Sequence, residues 1–147
     1  MIRAMTFDDV PEVARLGAEF HAKAGWSEIA YSVDDCADSL TRFMETGMFI
    51  GLVADDGHIV GMIGGLISPV YFNYSHKSGE ELFWYVADGA PQMTGIKLLK
   101  AMESEARAHG CGSWQMKSLA RLGGERMVQL YERMGHRASE SSFLKEL

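Results

Sequence analysis

Apolar and polar positions repeat along this chain with two different periods, and the order of those periods sketches the fold. Residues 2–5 are mostly apolar and predict a short edge strand. Thr6 and Asp9 have the spacing of a capping box. Val10, Val13, Leu16, Phe20 and Ala24 follow at helical spacing, with Gly25 as a natural stop. Ser32, Asp34 and Asp35 repeat the cap signal, and Cys36, Leu40, Phe43 and Met44 then share one face of a second helix ending near Gly47.

From Met48 onward the pattern is that of strands. Residues 48–54 are apolar, Asp56-Gly57 marks a hairpin turn, and residues 59–67 return. Residues 68–79 (SPVYFNYSHKSG) read as a loop rich in aromatics. Residues 81–86 form a strand by their Phe, Trp, Tyr and Val content, and residues 87–91 (ADGAP) a loop. A long helix is expected from about Gly95 to His109, with Ile96, Leu98, Leu99, Met102 and Ala106 on one side. Trp114, Met116 and Ser118 share one face of the next strand. Gly123-Gly124 then precede a helix carrying Met127, Leu130, Tyr131 and Met134, Gly135 caps it, and residues 142–147 predict a final strand. The order is β-α-α-β-β-β-α-β-α-β. Tight turns make neighbouring strands antiparallel, and the strand–helix–strand unit from Glu81 to Trp114 makes one pair parallel. The expectation is an α+β fold: a mixed sheet with helices packed on its faces.

Composition narrows this further. A length of 147 residues suits one domain spanning 1–147, with 47% hydrophobic and 23% charged residues as in ordinary soluble proteins. The longest apolar run, residues 59–67, is nine residues, against the ~20 a membrane helix needs. The first residues lack the apolar core of a signal peptide, so no membrane partner and a cytoplasmic location are expected. Fourteen Lys and Arg against twenty Asp and Glu give a net charge of -6, which disfavours nucleic acid as a partner. Cys36 and Cys111 lie far apart, form no metal-ligand pattern and should be free thiols. No G-x-G-x-x-G follows the first strand, and the chain is too short for a dinucleotide-binding domain.

Two stretches carry chemistry. Gln92-Met93-Thr94-Gly95-Ile96-Lys97 connects a strand to a helix N-terminus, where unpaired N–H groups and the helix dipole favour a phosphate. Gly95 admits a ligand close to the backbone and Lys97 adds charge. Taken alone, the stretch reads first as a helix start that contains a glycine. Leu130-Tyr131-Glu132-Arg133-Met134-Gly135-His136 ends the last helix, and Tyr131, on the face of Met127 and Met134, is by itself a core tyrosine. Glu80 and Glu81 open the strand before the first stretch. Simple alternation puts Glu81 with Phe83 and Tyr85, and Glu80 with Leu82, Trp84 and Val86. They are either solvated carboxylates or a general base.

In this order and spacing the two stretches resemble the GNAT superfamily of acyl-CoA-dependent N-acyltransferases over essentially the whole chain. That family's acetyl-CoA loop reads Q/R-x-x-G-x-G/A, matched by Gln92 and Gly95, with Lys97 in place of the last small residue. Its Y-x-x-x-G-F turn is matched by Tyr131 and Gly135, with His136 in place of the aromatic. The asparagine often found seven residues before that tyrosine is Gly124 here, and residues 87–91 are slightly longer than the common loop.

The resemblance implies a mostly antiparallel sheet with a central splayed parallel strand pair and helices on both faces. It implies acetyl-CoA as co-substrate and no metal, with the pyrophosphate on the N–H groups of Gln92, Met93, Thr94, Gly95, Ile96 and Lys97. Val86 would lie by the thioester carbonyl, Tyr131 would protonate the leaving thiolate, and Glu81 or its rival Glu80 would be the base. A base helps because an amine with a pKa of ~10.4 is neutral in only about one molecule in 2,500 at pH 7. His76 and His136 are further candidates for proton transfer, since imidazole carries protons near neutral pH. Trp26, Tyr31, Tyr71, Phe72 and Tyr74 would wall the acceptor side or cover the core. The partner implied is a small-molecule or peptide amine, with a homodimer as one assembly the family allows. A GNAT-fold module that binds acyl-CoA, or nothing, for regulation is the alternative function.

Overall fold

Polar side chains mark the entrances of the first two helices. Thr6 donates its N–H (2.8 Å) and its hydroxyl (2.9 Å) to Asp9 Oδ2 at a single 3-10 turn, Phe7–Asp9, that leads into helix α1, Val10–Ala24. Gly25 then ends α1 in the left-handed conformation, φ 72. Ser32 accepts the Asp35 N–H (3.1 Å) at the start of α2, Val33–Glu45. Arg3 of β1, Ile2–Ala4, grips both oxygens of Asp9 (2.7 and 2.8 Å) and reaches Asp55 (2.9 Å) at the end of β2, Phe49–Asp55. One guanidinium thus ties the first strand, the helix entrance and the second strand together.

In this computed structural model, which describes residues 1–26, 28–119, 122 and 124–147, the chain forms two compact units, Met1–Lys117 and Ser118–Leu147. The first unit holds a five-stranded sheet in the order β1-β2-β3-β4-β5, where β3 is Ile59–Val70, β4 Asn73–Val86 and β5 Cys111–Gln115. All neighbours are antiparallel except β4 and β5, which are parallel and joined by α3, Thr94–Ala108. On one face Val10, Val13, Leu16 and Leu40 of α1 and α2 pack with Val53, Met62 and Tyr85. On the other, α3 sinks Leu98, Leu99 and Met102 completely, and a Cβ on Gly61 would stand only 3.1 Å from Leu98. The expected mixed sheet with helices on both faces is therefore present. No helix among the described residues is long and apolar enough to cross a membrane.

Three expected elements differ. Residues 68–79 are not a loop. β3 runs on to Val70 and β4 starts at Asn73, pairing Ser68 with Ser78 and Pro69 with Lys77 around a tip at Tyr71 and Phe72. This ribbon is held by backbone pairing rather than burial, so it has no apolar alternation to read. Its tip is bare: Tyr71 is 97%, Phe72 77% and Tyr74 86% exposed. β5 ends at Gln115, and Met116 instead turns its sulfur to the Trp114 indole N–H (3.1 Å), with Ser118 beyond. Residues 142–147 form no strand. Phe143, Leu144 and Leu147 do not alternate, so no strand could put all three on one face, and all are exposed.

The second unit contains α4, Gly124–Arg133. Gly135, at φ 89, ends it, donating its N–H to Glu132 while the His136 N–H returns to the Tyr131 carbonyl (2.9 Å). Gly123, half of the expected glycine pair before this helix, lies outside the described residues.

Candidate active site

The last β4–β5 pair is Glu80 with Gln115. β5 stops there, while β4 continues to Val86, so residues 81–86 have a neighbour in β3 on one side and none in β5 on the other. The parallel pair thus splays into a cleft. Ala87 donates its N–H to Val60 on the β3 side (2.9 Å). Alternation then turns the Val86 N–H to the cleft side.

A β-bulge shapes the head of this cleft. Phe83 stands opposite Gly64 and Glu81 opposite Gly65, which leaves Leu82 as the extra residue. Gly65 is required: a Cβ there would collide with the Glu80 carbonyl and come within 2.6 Å of the Trp114 ring. The bulge corrects the simple alternation. Phe83 and Tyr85 face α1 and α2, whereas Glu81 shares the α3 face with Trp84 and Val86, and Glu80 takes the opposite one.

Glu81 is 6% exposed. Its Oε2 accepts the N–H of Lys117 (2.8 Å), two residues beyond Gln115, so the carboxylate bridges the diverging strands. Burial pushes the Glu81 carboxyl up to about 7, against the Lys117 N–H and charge and with some help from Glu80. Glu80 is exposed and ion-paired with the Lys117 ammonium (2.9 Å). The two glutamates are adjacent in sequence but chemically unlike.

Next comes the helix entrance. Met93 adopts the left-handed conformation at φ 67, which costs a side-chain-bearing residue of the order of 1 kcal/mol. Thr94 donates its N–H (3.2 Å) and hydroxyl (2.6 Å) to the Pro91 carbonyl, and the Lys97 N–H goes to Met93 (2.9 Å). Among the described residues, none accepts the N–H of Gly95 or Ile96, which leaves two donors at the positive end of α3. Gly95 also lies against β4, where a Cβ would be 3.3 Å from Trp84 and 3.5 Å from Val86. Its lack of a side chain therefore serves helix packing as well as anion approach. Gln92 and Lys97 are exposed beside it.

Tyr131 lies on α4 in the second unit, buried, with its ring 5.6 Å from that of His136. His76 is not at the cleft: it sits before the β4–β5 paired stretch, 3.0 Å from Ser113 Oγ. Trp26 and Tyr31 line a cavity on the α1/α2 face. Cys36 and Cys111 are free. No group of three His, Cys, Asp or Glu side chains among the described residues could hold a metal ion. Sequence reasoning missed Leu82, Lys117 and the strain at Met93. Only the first had a signal, the paired glycines Gly64-Gly65 inside an apolar strand.

The site thus combines a mixed sheet whose parallel pair ends at Glu80 and Gln115 with a helix start that leaves two backbone donors. The chain belongs to the acetyltransferase (GNAT) family, whose model matches residues 15–136. Solved structures agree on the fold. A ribosomal-protein-alanine N-acetyltransferase from Brucella melitensis biovar Abortus 2308 is 20% identical, with a TM-score of 0.74 over 100% of this chain and 99% of that one. An aminoglycoside acetyltransferase from an uncultured soil metagenomic sample is 16% identical, with a TM-score of 0.75 over 100% and 97%. A predicted acetyltransferase from Clostridium acetobutylicum, solved with acetyl-CoA, is 10% identical, with a TM-score of 0.79 over 99% and 95%. Among curated proteins none matches in sequence.

Proposed function

We propose that residues 1–147 work as one domain, a cytoplasmic N-acetyltransferase that moves an acetyl group from acetyl-CoA to a primary amine while both are bound. The observation that carries this reading is Glu81: a buried carboxyl, poised near neutral pH, at the head of a cleft whose mouth presents free N–H groups. General bases are tuned in this way, by burial, to titrate near the working pH.

Bound acetyl-CoA supplies an activated acetyl group. The N–H groups of Gly95 and Ile96, with Lys97 beside them, hold its pyrophosphate. The Val86 N–H polarises the thioester carbonyl as an oxyanion-hole donor does. Glu81 takes the proton of the amine, through water, as the new N–C bond forms and the C–S bond breaks. Tyr131 gives its hydroxyl proton to the departing thiolate. Glu80, already paired with Lys117, is the weaker candidate for base. The acceptor is a small-molecule or peptide amine. The related folds include enzymes named for aminoglycosides and for a ribosomal-protein alanine, which fits an acceptor of either size.

The test is thermal stability with and without acetyl-CoA, followed by thiol release across a panel of amines. Ligand at 100 times its Kd should add about 2.7 kcal/mol. Absence of both stabilisation and amine-dependent thiol release would overturn the proposal. Stabilisation without thiol release from any amine would favour a regulatory acyl-CoA-binding module.

A further inference from the structure

The α1/α2 face of the sheet holds a cavity of about 210 Å³. Met62 and the bulge residues Leu82 and Phe83 form its sheet side, Ala24 and Cys36 contribute from the helices, and Tyr31 lines it as well. No Asp, Glu, Lys or Arg side chain among the described residues lines it. Its polar atoms are largely spent: the Tyr31 hydroxyl donates to the Ala14 carbonyl (2.6 Å), and His21 Nε2 lies 2.7 Å from the Ile29 carbonyl. Burial, with Cys36 nearby, holds the Tyr31 phenol above its ordinary range, so it stays neutral. A charged group entering here would lose its water and find no counter-charge. An apolar group would lose nothing. A cavity of roughly 150 Å³ takes a benzene ring, so this one has room for a phenyl or branched aliphatic group with part of its linker. It reaches solvent, since the lining residues Trp26 and Leu82 remain 45% and 38% exposed.

Leu82 and Phe83 belong to both cavity and cleft. Their side chains line the cavity, and their backbone is part of the β4 edge that β5 leaves unpaired. A gap between two strands opens through the sheet. A molecule seated on the α1/α2 face can therefore present its amine at the strand edge beside Glu81, although that carboxylate belongs to the other face. We infer that the acceptor is a primary amine on a short arm bearing a neutral apolar group, aromatic or branched aliphatic, which seats in this cavity, and that polycationic amines are poor acceptors. The inference rests on the acetyl-transfer reading and deepens it.

The test compares 2-phenylethylamine with spermidine on the full chain, by thiol release with acetyl-CoA and by calorimetric binding without it. The expected result is a kcat/KM at least tenfold higher for 2-phenylethylamine, together with its direct binding. Ala24→Leu, which fills the cavity from α1, should weaken that binding at least tenfold and leave acetyl-CoA affinity unchanged. Cys36→Leu does the same from α2 should the first variant not fold. A preference for spermidine, no binding of 2-phenylethylamine, or equal binding to the filled variant would each overturn the inference while leaving acetyl transfer standing. Failure of acetyl-CoA to bind would overturn the acetyl-transfer reading and, with it, the assignment of an acceptor.

Discussion

Glu81 illustrates how one residue's surroundings can set both a rate and a stability. Its carboxyl titrates at about 7 in the folded protein against an ordinary 4.5. The folded state therefore keeps a proton that the unfolded chain releases between those values. Its contribution to stability is complete below pH 4.5 and is lost as pH rises through 7, on the order of 3 kcal/mol over that window. Glu81→Gln should remove this slope in urea unfolding series and make the protein more stable than wild type above pH 7. The same substitution should lower kcat/KM by ~10²-fold or more and abolish the rise in rate through pH 7. A variant that keeps that rise would exclude Glu81 as the base and turn attention to Glu80. Tyr131→Phe makes the complementary cut. It keeps the ring and removes only the hydroxyl, so turnover should fall by ~10²-fold with acetyl-CoA affinity nearly constant. Unchanged turnover, with chemistry shown to be rate-limiting, would leave Tyr131 a packing residue.

At the scale of elements, the sequence was most legible where burial enforced a period. α1, α2 and α3 each bury one face; Ser32 caps α2 and Gly25 ends α1 where the sequence put them, whereas Thr6 caps the 3-10 turn before α1 and α3 starts at Met93 without a side-chain cap. The β3–β4 ribbon was illegible because its outer half buries little and is held by backbone pairing, which leaves no mark on side-chain choice. The motif residues from Gln92 to Lys97 and the carboxylates of β4 could be read from the chain. The bulge at Leu82 left only an indirect trace, the Gly64-Gly65 pair on the opposing strand, although its one extra residue inverts every face upstream. Gly95 joins the two levels. Gly95→Ala adds a methyl 3.3 Å from the Trp84 ring, which must give by a few tenths of an ångström to accept it. It should also weaken acetyl-CoA binding at least tenfold by calorimetry. Equal affinity in a folded variant would place the pyrophosphate elsewhere.

For the whole molecule, two ionisable sites shape opposite limbs of the stability curve. The Arg3 guanidinium, with Thr6, holds the Asp9 carboxyl well below its ordinary range, while burial raises Glu81. Asp9 contributes stability that is present above pH 3.8 and disappears as acid protonates it through its lower folded value. Glu81 acts in the reverse direction at higher pH. Stability should peak between the two windows, near pH 4 to 5 by this pair. Asp9→Asn should flatten the acid limb alone, and Glu81→Gln the other limb alone, as read from urea midpoints across pH.

The edge of β4 beyond the end of β5 also governs how the protein behaves at high concentration. Among the described residues, positions 81–86 have no β5 neighbour, and they carry Leu82, Phe83, Trp84, Tyr85 and Val86, the kind of strand that recruits another strand. The sheet's outermost strands, three and five residues long, offer far poorer templates. A ligand lying along the cleft would occupy this edge as a missing strand does. Ligand-free protein should therefore scatter more light on concentration and storage than protein saturated with CoA, so occupancy of the cleft would act as a guard against precipitation.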